Sequence, residues 1–117
     1  MAMVNHVLTG EVLAFADKAG LDPAMVVDVL STTSAGKGQL LTNYPKKVLA
    51  GDITPDFSIR MGIKDLNMAL ELGQSVDAIT NFGLVSRDEF QQATKNGFTD
   101  KDCTAIYLYQ KGTVLAE

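Results

Sequence analysis

The sequence predicts a single all-α domain, and three observations lead to that class. Apolar residues recur at i, i+3 and i+4 steps over most of the chain, which is the period of an amphipathic helix. No segment has the alternation of apolar and polar residues that is typical of a half-buried strand. The 117 residues are enough for one core and too few for two ordinary domains. We therefore expect one multi-helix domain over residues 1–117.

Glycine and proline separate the first two predicted helices. Apolar positions at helical spacing predict a first helix from about Met3 to Lys18. Gly20 follows it, and glycine adopts the left-handed conformation of a helix C-cap at little cost. Asp22 and Pro23 are residue types favoured at the cap and the first position of a second helix. That helix is expected to run through Leu30.

The middle of the chain is expected to be less regular. Residues 31–38 are small and polar, but the order of glycine and lysine differs from that of a phosphate-binding loop and no strand precedes them. We interpret this segment as a connection between helices. A third helical stretch from about Gln39 to Leu49 is expected to be interrupted at Pro45, because its ring removes a backbone donor.

Two longer helices are predicted in the second half. An extended segment, Thr54–Ser58, precedes a helix from about Ile59 to Val76, in which Gly73 weakens the last turn. A fifth helix is expected from about Phe82 to Lys95.

The last helix is predicted from its start signal. Thr99 and Asp102 are three residues apart and resemble a capping box. The carboxylates of Asp100 and Asp102 are expected to act as partners of the helix dipole and not as a catalytic pair. The final helix would carry Ala105, Ile106, Leu108 and Tyr109.

Composition and charge narrow the functional classes. The net charge is −4 and the basic residues are scattered, which argues against nucleic acid as a partner. Cys103 is the only cysteine and His6 the only histidine, so we expect no disulfide, no metal site and a reducing, cytoplasmic setting. We expect no signal peptide and no membrane span, because no run of about 18 apolar residues occurs.

Few side chains are candidates for chemistry. Nothing in the sequence pairs His6 with a nucleophile, so we interpret it as a structural residue. Lys64 and Asp65 lie within the predicted fourth helix, and Arg60 is one turn before Lys64. The two cations could form a patch that binds a phosphate or polarises a carbonyl. The alternative is a solvated charged stripe, which spacing alone favours.

Several segments share their order and spacing with one known family. They are Met3 to His6 with Gly10 to Pro23, Leu49 to Asp52 with Pro55 to Phe57, the Lys-Asp-Leu-Asn-Met-Ala run at 64–69, and Asp102 to Ala105. In these segments the chain resembles the C-terminal helical domain of the β-hydroxyacid dehydrogenases, which are 3-hydroxyisobutyrate dehydrogenase-like. The expected fold is therefore the helical domain found in 6-phosphogluconate and 3-hydroxyisobutyrate dehydrogenases.

The resemblance implies a two-domain enzyme. Family members bind NAD(H) or NADP(H) on an N-terminal Rossmann domain and transfer a hydride between a 3-hydroxy acid and its semialdehyde. Their helical domain closes the cleft and forms most of the subunit interface. The resemblance implies that Lys64 reaches the cofactor, and that Asn5, Phe57 and Asp65 line the substrate cleft.

The resemblance also implies that parts of the enzyme are missing here. The Gly-x-Gly-x-x-Gly fingerprint of the Rossmann domain is not present. The position of the family's general acid/base lysine is Ala2, and its substrate-binding asparagine corresponds to Asn5 or to His6. We therefore expect a domain that is inactive alone, binds no cofactor alone, and forms a homodimer or larger homo-oligomer through Met3–Phe15 and Ile59–Leu72. The alternatives are a stand-alone helical oligomerisation or regulatory module and, less favoured, a small enzyme that uses His6.

Overall fold

A computed structural model describes residues 1–115 and confirms the all-α prediction. Within these residues no strand forms, and one isolated bridge pairs Ser58 with Asp102. The α-helices are α1 (Ala2–Lys18), α2 (Pro23–Ser31), α3 (Gln39–Thr42), α4 (Ile59–Ser75), α5 (Asn81–Lys95) and α6 (Ile106–Gln110).

The first two helices begin and end where the sequence predicts. Gly20 follows α1 with a φ of +86°, a conformation that favours glycine. The Asp22 carboxylate accepts a hydrogen bond from the Ala24 N–H at 3.1 Å and so caps α2, whose first residue is Pro23. These boundaries depend on local chemistry, which is why sequence alone located them.

The third helix is much shorter than predicted. α3 ends at Thr42, and a separate 3₁₀ turn forms at Val48–Ala50. The residue before a proline is disfavoured in the helical region, and here Tyr44 precedes Pro45. Tyr44 is fully buried, and its hydroxyl donates to the His6 carbonyl at 2.6 Å. The helix therefore ends before Tyr44, and the Tyr44 side chain lies in the core.

The predicted capping box at the last helix is wrong. Asp102 is the cap, because its Oδ2 accepts from the Thr104 N–H at 3.0 Å and starts a 3₁₀ turn that leads into α6. The Thr99 hydroxyl instead donates to the Thr94 carbonyl at 3.4 Å, at the end of α5. Thr99 thus belongs to the end of the preceding helix.

The two long helices α4 and α5 pack against each other as a hairpin. Ser58 caps α4 by accepting from the Met61 N–H at 3.2 Å. Gly73 is buried where the hairpin turns, and a Cβ there would lie 2.8 Å from Thr80 Cγ2. The glycine that weakened the sequence prediction is therefore required by close packing across the turn.

Two clusters of buried side chains form the core. Leu108 and Ile53 pack against both clusters and join them. The first cluster lies among α4, α5 and α6 and contains Ile59, Leu66, Phe90, Ala93, Phe98, Cys103, Ala105 and Ile106. The second lies under α1, α2 and α3 and contains Leu13, Ala14, Val27, Leu40, Tyr44, Val48 and Tyr107. In residues 1–115 no helix is long and apolar enough to cross a bilayer.

Candidate functional site

Helix α4 carries Lys64 and Asp65 to the surface. Its buried residues include Ile59, Gly62 and Leu66, and Ile63 also packs against the core, whereas Lys64 lies on the other side of the helix. Lys64 and Asp65 are both exposed. Within the described part of the chain, no carboxylate forms a salt bridge with the Lys64 ammonium. Lys64 is therefore available to an anionic group that approaches this helix.

Arg60 and Lys64 do not form the cationic patch that their spacing suggested. Its guanidinium donates to both carboxylate oxygens of Asp100, at 2.8 and 3.2 Å. The hydrogen bonds from Arg60 hold the pKa of Asp100 below its usual value. The charge of Arg60 is thus compensated within the domain, and the predicted patch is reduced to Lys64.

The backbone at Phe57 is held by a buried carboxylate. Oδ1 of Asp102 accepts from the N–H groups of Asp56 at 3.0 Å and Phe57 at 3.3 Å. Oδ2 accepts from the N–H of Thr104 at 3.0 Å and from its hydroxyl at 2.6 Å. Burial alone would raise the pKa of Asp102, but these hydrogen bonds outweigh it and lower the pKa. The ionised carboxylate fixes the segment that leads into α4.

A buried ammonium fixes the start of the same segment. The Lys47 side chain is 8 % exposed, and its Nζ lies 3.2 Å from Asp52 Oδ2 and 3.5 Å from Asp56 Oδ1. Hydrogen bonds from Thr54 and from Lys47 lower the pKa of Asp52 to about 2. Sequence reasoning missed Lys47 and the role of Asp102 because their partners are set by the folded backbone. The closely spaced acidic residues Asp52 and Asp56 are the sequence feature that could have indicated an ion pair with Lys47.

Asn5 and His6 lie on different sides of α1. Asn5 is exposed, whereas His6 is 5 % exposed and packs beside the Tyr44 ring at 5.9 Å between ring centroids. Burial lowers the pKa of His6, although Asp102 opposes this shift. Among the described residues, its Nδ1 has no hydrogen-bond partner. Of the two residues left open by the sequence, Asn5 has the exposed side chain and His6 the buried one.

The start of α1 packs directly on the start of α4. Met3 Sδ lies 3.6 Å from Cys103 Sγ, and a Cβ at Gly62 would lie 2.9 Å from the same Met3 sulfur. Burial raises the pKa of the Cys103 thiol to about 12, so it is not a nucleophile at neutral pH. These contacts place the Asn5 end of α1 and the first turns of α4 at one end of the bundle.

This end of the bundle offers an amide, an ammonium and a carboxylate but no enclosed cavity. A groove of about 590 Å³ lies elsewhere, between α1, α5 and α6, and includes none of Asn5, Phe57, Lys64 and Asp65. Among residues 1–115, no three His, Cys, Asp or Glu side chains are arranged to hold a metal ion. The side chains at this end of the bundle can contact an anionic group from one side.

The family model described as NAD-binding of NADP-dependent 3-hydroxyisobutyrate dehydrogenase matches residues 1–109. The chain belongs to this family, and the resemblance read from its sequence is confirmed.

Two curated relatives are similar to the chain, and a solved structure shares its fold. The 3-sulfolactaldehyde reductase of Escherichia coli (strain K12) is 34 % identical over 106 residues, which cover 91 % of this chain and 36 % of the reductase. The L-threonate dehydrogenase of Haemophilus influenzae is 28 % identical over 111 residues, which cover 94 % of this chain and 36 % of the dehydrogenase. The crystal structure of 3-hydroxyisobutyrate dehydrogenase from Salmonella typhimurium has the same fold, with a TM-score of 0.84 at 22 % identity, covering 92 % of this chain and 38 % of that one. The chain spans little more than a third of these relatives.

Proposed function

We propose that the chain is the C-terminal helical domain of an NAD(P)-dependent β-hydroxyacid dehydrogenase. It would form one wall of the substrate cleft and a subunit interface. The observation that carries this proposal is the family match across residues 1–109, whose description names NAD binding, together with the exposed Lys64 on α4. In the whole protein a Rossmann domain would supply the other wall.

The residues at this end of the bundle fit part of a cofactor site. Lys64 forms no salt bridge within the described residues, so it can take an anionic group of the cofactor or substrate. The dinucleotide pyrophosphate normally binds a glycine-rich turn at a helix N-terminus, and this sequence has no such fingerprint. The chain would therefore contact the cofactor without holding all of it.

The bound nicotinamide would supply or accept the hydride, and the side chains of this domain would position the reactants. Lys64 would place a positive charge next to the cofactor or a substrate carboxylate, where its effect grows when the cleft closes and excludes water. Asn5 would donate hydrogen bonds to the substrate, and Phe57 and Asp65 would border it. Ala2 has no group that can move a proton, so the chain as it stands would position the substrate without acid/base catalysis.

A chimera tests this function. The Rossmann segment of the E. coli 3-sulfolactaldehyde reductase would be joined to this chain, once with Ala2 and once with Ala2→Lys. We expect oxidation of NADH or NADPH by 3-sulfolactaldehyde only with Ala2→Lys, and a KM for the cofactor that rises about ten-fold with Lys64→Met. Lys46→Met, an equal change at another exposed lysine, is the control. An active chimera that is indifferent to Lys64→Met would remove Lys64 from the site.

Exposed apolar side chains favour a second candidate, a helical oligomerisation or regulatory module without catalysis. α1 exposes Leu8 and Phe15, and α4 exposes Met61, Met68 and Leu72. Exposed apolar faces of this kind promote association. We therefore propose a homodimer or larger homo-oligomer under either candidate, and a monomeric mass at tens of micromolar would count against it.

The DNA sequence upstream of Met1 distinguishes the two candidate functions. An in-frame segment upstream of Met1 that encodes a glycine-rich βαβ unit would mean that the chain is part of a dehydrogenase. A promoter and ribosome-binding site in that place would mean a free-standing module.

A further inference from the structure

Side chains of opposite charge hold the segment that leads into α4 from two sides. On one side, the Lys47 ammonium lies 3.5 Å from Asp56 Oδ1. On the other side, Oδ1 of Asp102 accepts from the N–H groups of Asp56 and Phe57, at 3.0 and 3.3 Å. Asp56 is therefore bound through its side chain to Lys47 and through its backbone to Asp102. We call residues 52–57, which these contacts restrain, the lead segment.

Lys47 serves further acceptors at the start of the lead segment. Its Nζ donates to Asp52 Oδ2 at 3.2 Å and to Thr54 Oγ1 at 3.5 Å. Oδ1 of Asp52 in turn accepts from the Thr54 N–H at 2.9 Å. Burial alone would lower the pKa of Lys47, but the hydrogen bond to Asp52 and the nearby carboxylate charges outweigh it and raise the pKa. The charged ammonium therefore joins three side chains of one short segment.

The lead segment ends next to the cap of α4. Phe57 is followed directly by Ser58, the residue that caps this helix. The N–H of Ile59 donates to the Lys101 carbonyl at 2.9 Å, which keeps the helix against the bundle when the lead segment loosens. Lys64 lies six residues after Ser58, about 9 Å along the helix axis. A helix is stiff over this length, so a change in the direction of its first turn also moves Lys64.

We propose that Lys47 is a positioning residue, which holds the lead segment through Asp52 and Asp56 and thereby sets where Lys64 meets the cofactor. This inference rests on the proposed function, in which Lys64 contacts NAD(H) or NADP(H). Lys47 is itself buried, so it acts through Lys64 and does not contact the cofactor. Without the Lys47 ammonium, Lys64 is still present but occupies a wider range of positions. Ordering it again when the cofactor binds then costs part of the contact.

Hydrogen exchange in this chain tests whether Lys47 holds the lead segment. Lys47→Met removes the ammonium from a side chain of similar length, and Lys46→Met makes the same change at the exposed neighbouring lysine. We expect peptides over residues 52–61 to exchange about three- to ten-fold faster in Lys47→Met only, the size of one or two lost charged hydrogen bonds. Lys47→Arg keeps the charge and should recover most of the protection. Unchanged exchange in α2 would show that the loss is local, and equal exchange in Lys47→Met and Lys46→Met would overturn the inference.

Paired substitutions in the chimera that carries Ala2→Lys test whether Lys47 acts through Lys64. Lys47→Met alone should raise the KM for the cofactor about three-fold and leave kcat within a factor of about two. In a chimera that already carries Lys64→Met, adding Lys47→Met should raise this KM no further, because the contact that Lys47 positions is gone. Lys46→Met should change neither constant in either background.

The outcomes separate this inference from the proposed function. If Lys47→Met raises the KM equally with and without Lys64, or lowers kcat in both backgrounds, Lys47 has only a structural role. That result would overturn the inference and leave the proposed function standing. A chimera that is inactive in every form would overturn the proposed function and the positioning role together.

Discussion

The N–H of Phe57 donates a hydrogen bond to Oδ1 of Asp102 at 3.3 Å, across 45 residues of sequence. The Phe57 carbonyl in turn accepts from the Cys103 N–H at 2.8 Å, so the two segments are joined on both sides. Because Phe57 immediately precedes the cap of α4, this pairing sets where that helix starts. It thereby sets the position of Lys64 relative to the start of α1.

Asp102→Asn should therefore destabilise the fold. An amide can accept on one side only, so either the N–H groups of Asp56 and Phe57 or the donors of Thr104 would face an NH₂ group. We expect a loss of about 1–3 kcal/mol in the free energy of unfolding, measured by urea denaturation. Asp100→Asn is the control, because its pair with Arg60 is exposed to solvent and should contribute little to stability. Equal losses in the two variants would show that Asp102 does not hold this segment.

His6 should make the fold less stable in acid. Burial lowers its pKa in the folded state, so the unfolded chain binds the proton more readily. The stability that the neutral ring contributes is present above the unfolded pKa of about 6.5 and is lost as the pH falls through the folded pKa. The free energy of unfolding should decrease from pH 7.5 to pH 5.5, and this decrease should be smaller in His6→Leu. The same decrease in both proteins would assign the effect to other groups.

Gly10→Ala should weaken the contact between α1 and α6. A Cβ at Gly10 would overlap Gln110 Oε1 and lie 3.0 Å from the Tyr44 hydroxyl, which already bonds to His6. Alanine favours a helix by about 1 kcal/mol over glycine, but overpacking a buried site costs about 1–3 kcal/mol. We expect a net loss of about 1–2 kcal/mol in thermal or urea unfolding.

Gly62→Ala is the matched comparison for Gly10→Ala. There the closest atom, at 2.9 Å, is the sulfur of the flexible Met3 side chain, which can move. We expect this variant to be close to neutral. A loss at Gly62 as large as that at Gly10 would contradict the contacts described for the two helices.

The sequence predicted those features that depend on neighbouring residues. Gly20, Asp22 and Pro23 act within a few positions of themselves, so the ends of α1 and α2 were predicted correctly. Thr99 was given the wrong role, because whether it caps the next helix or closes the previous one depends on how the chain turns at Phe98. Local patterns do not contain that information.

The candidate site was predictable only in part. The exposed Lys64 follows from the helical period of α4, which the sequence contains. The buried surroundings of His6 include Tyr44, a residue 38 positions away in sequence. Likewise, Lys47 finds Asp52 and Asp56 only after the segment between them has folded. Contacts between distant parts of the chain decide these features.

Calorimetric titration of this chain with NADH and with NADPH tests most directly whether the cofactor site is divided between two domains. Lys64 can add one charge contact, whereas the pyrophosphate requires a glycine-rich turn that the sequence does not contain. We predict no binding heat from either dinucleotide at tens of micromolar protein. Binding with a dissociation constant in the micromolar range by this chain alone would contradict the account.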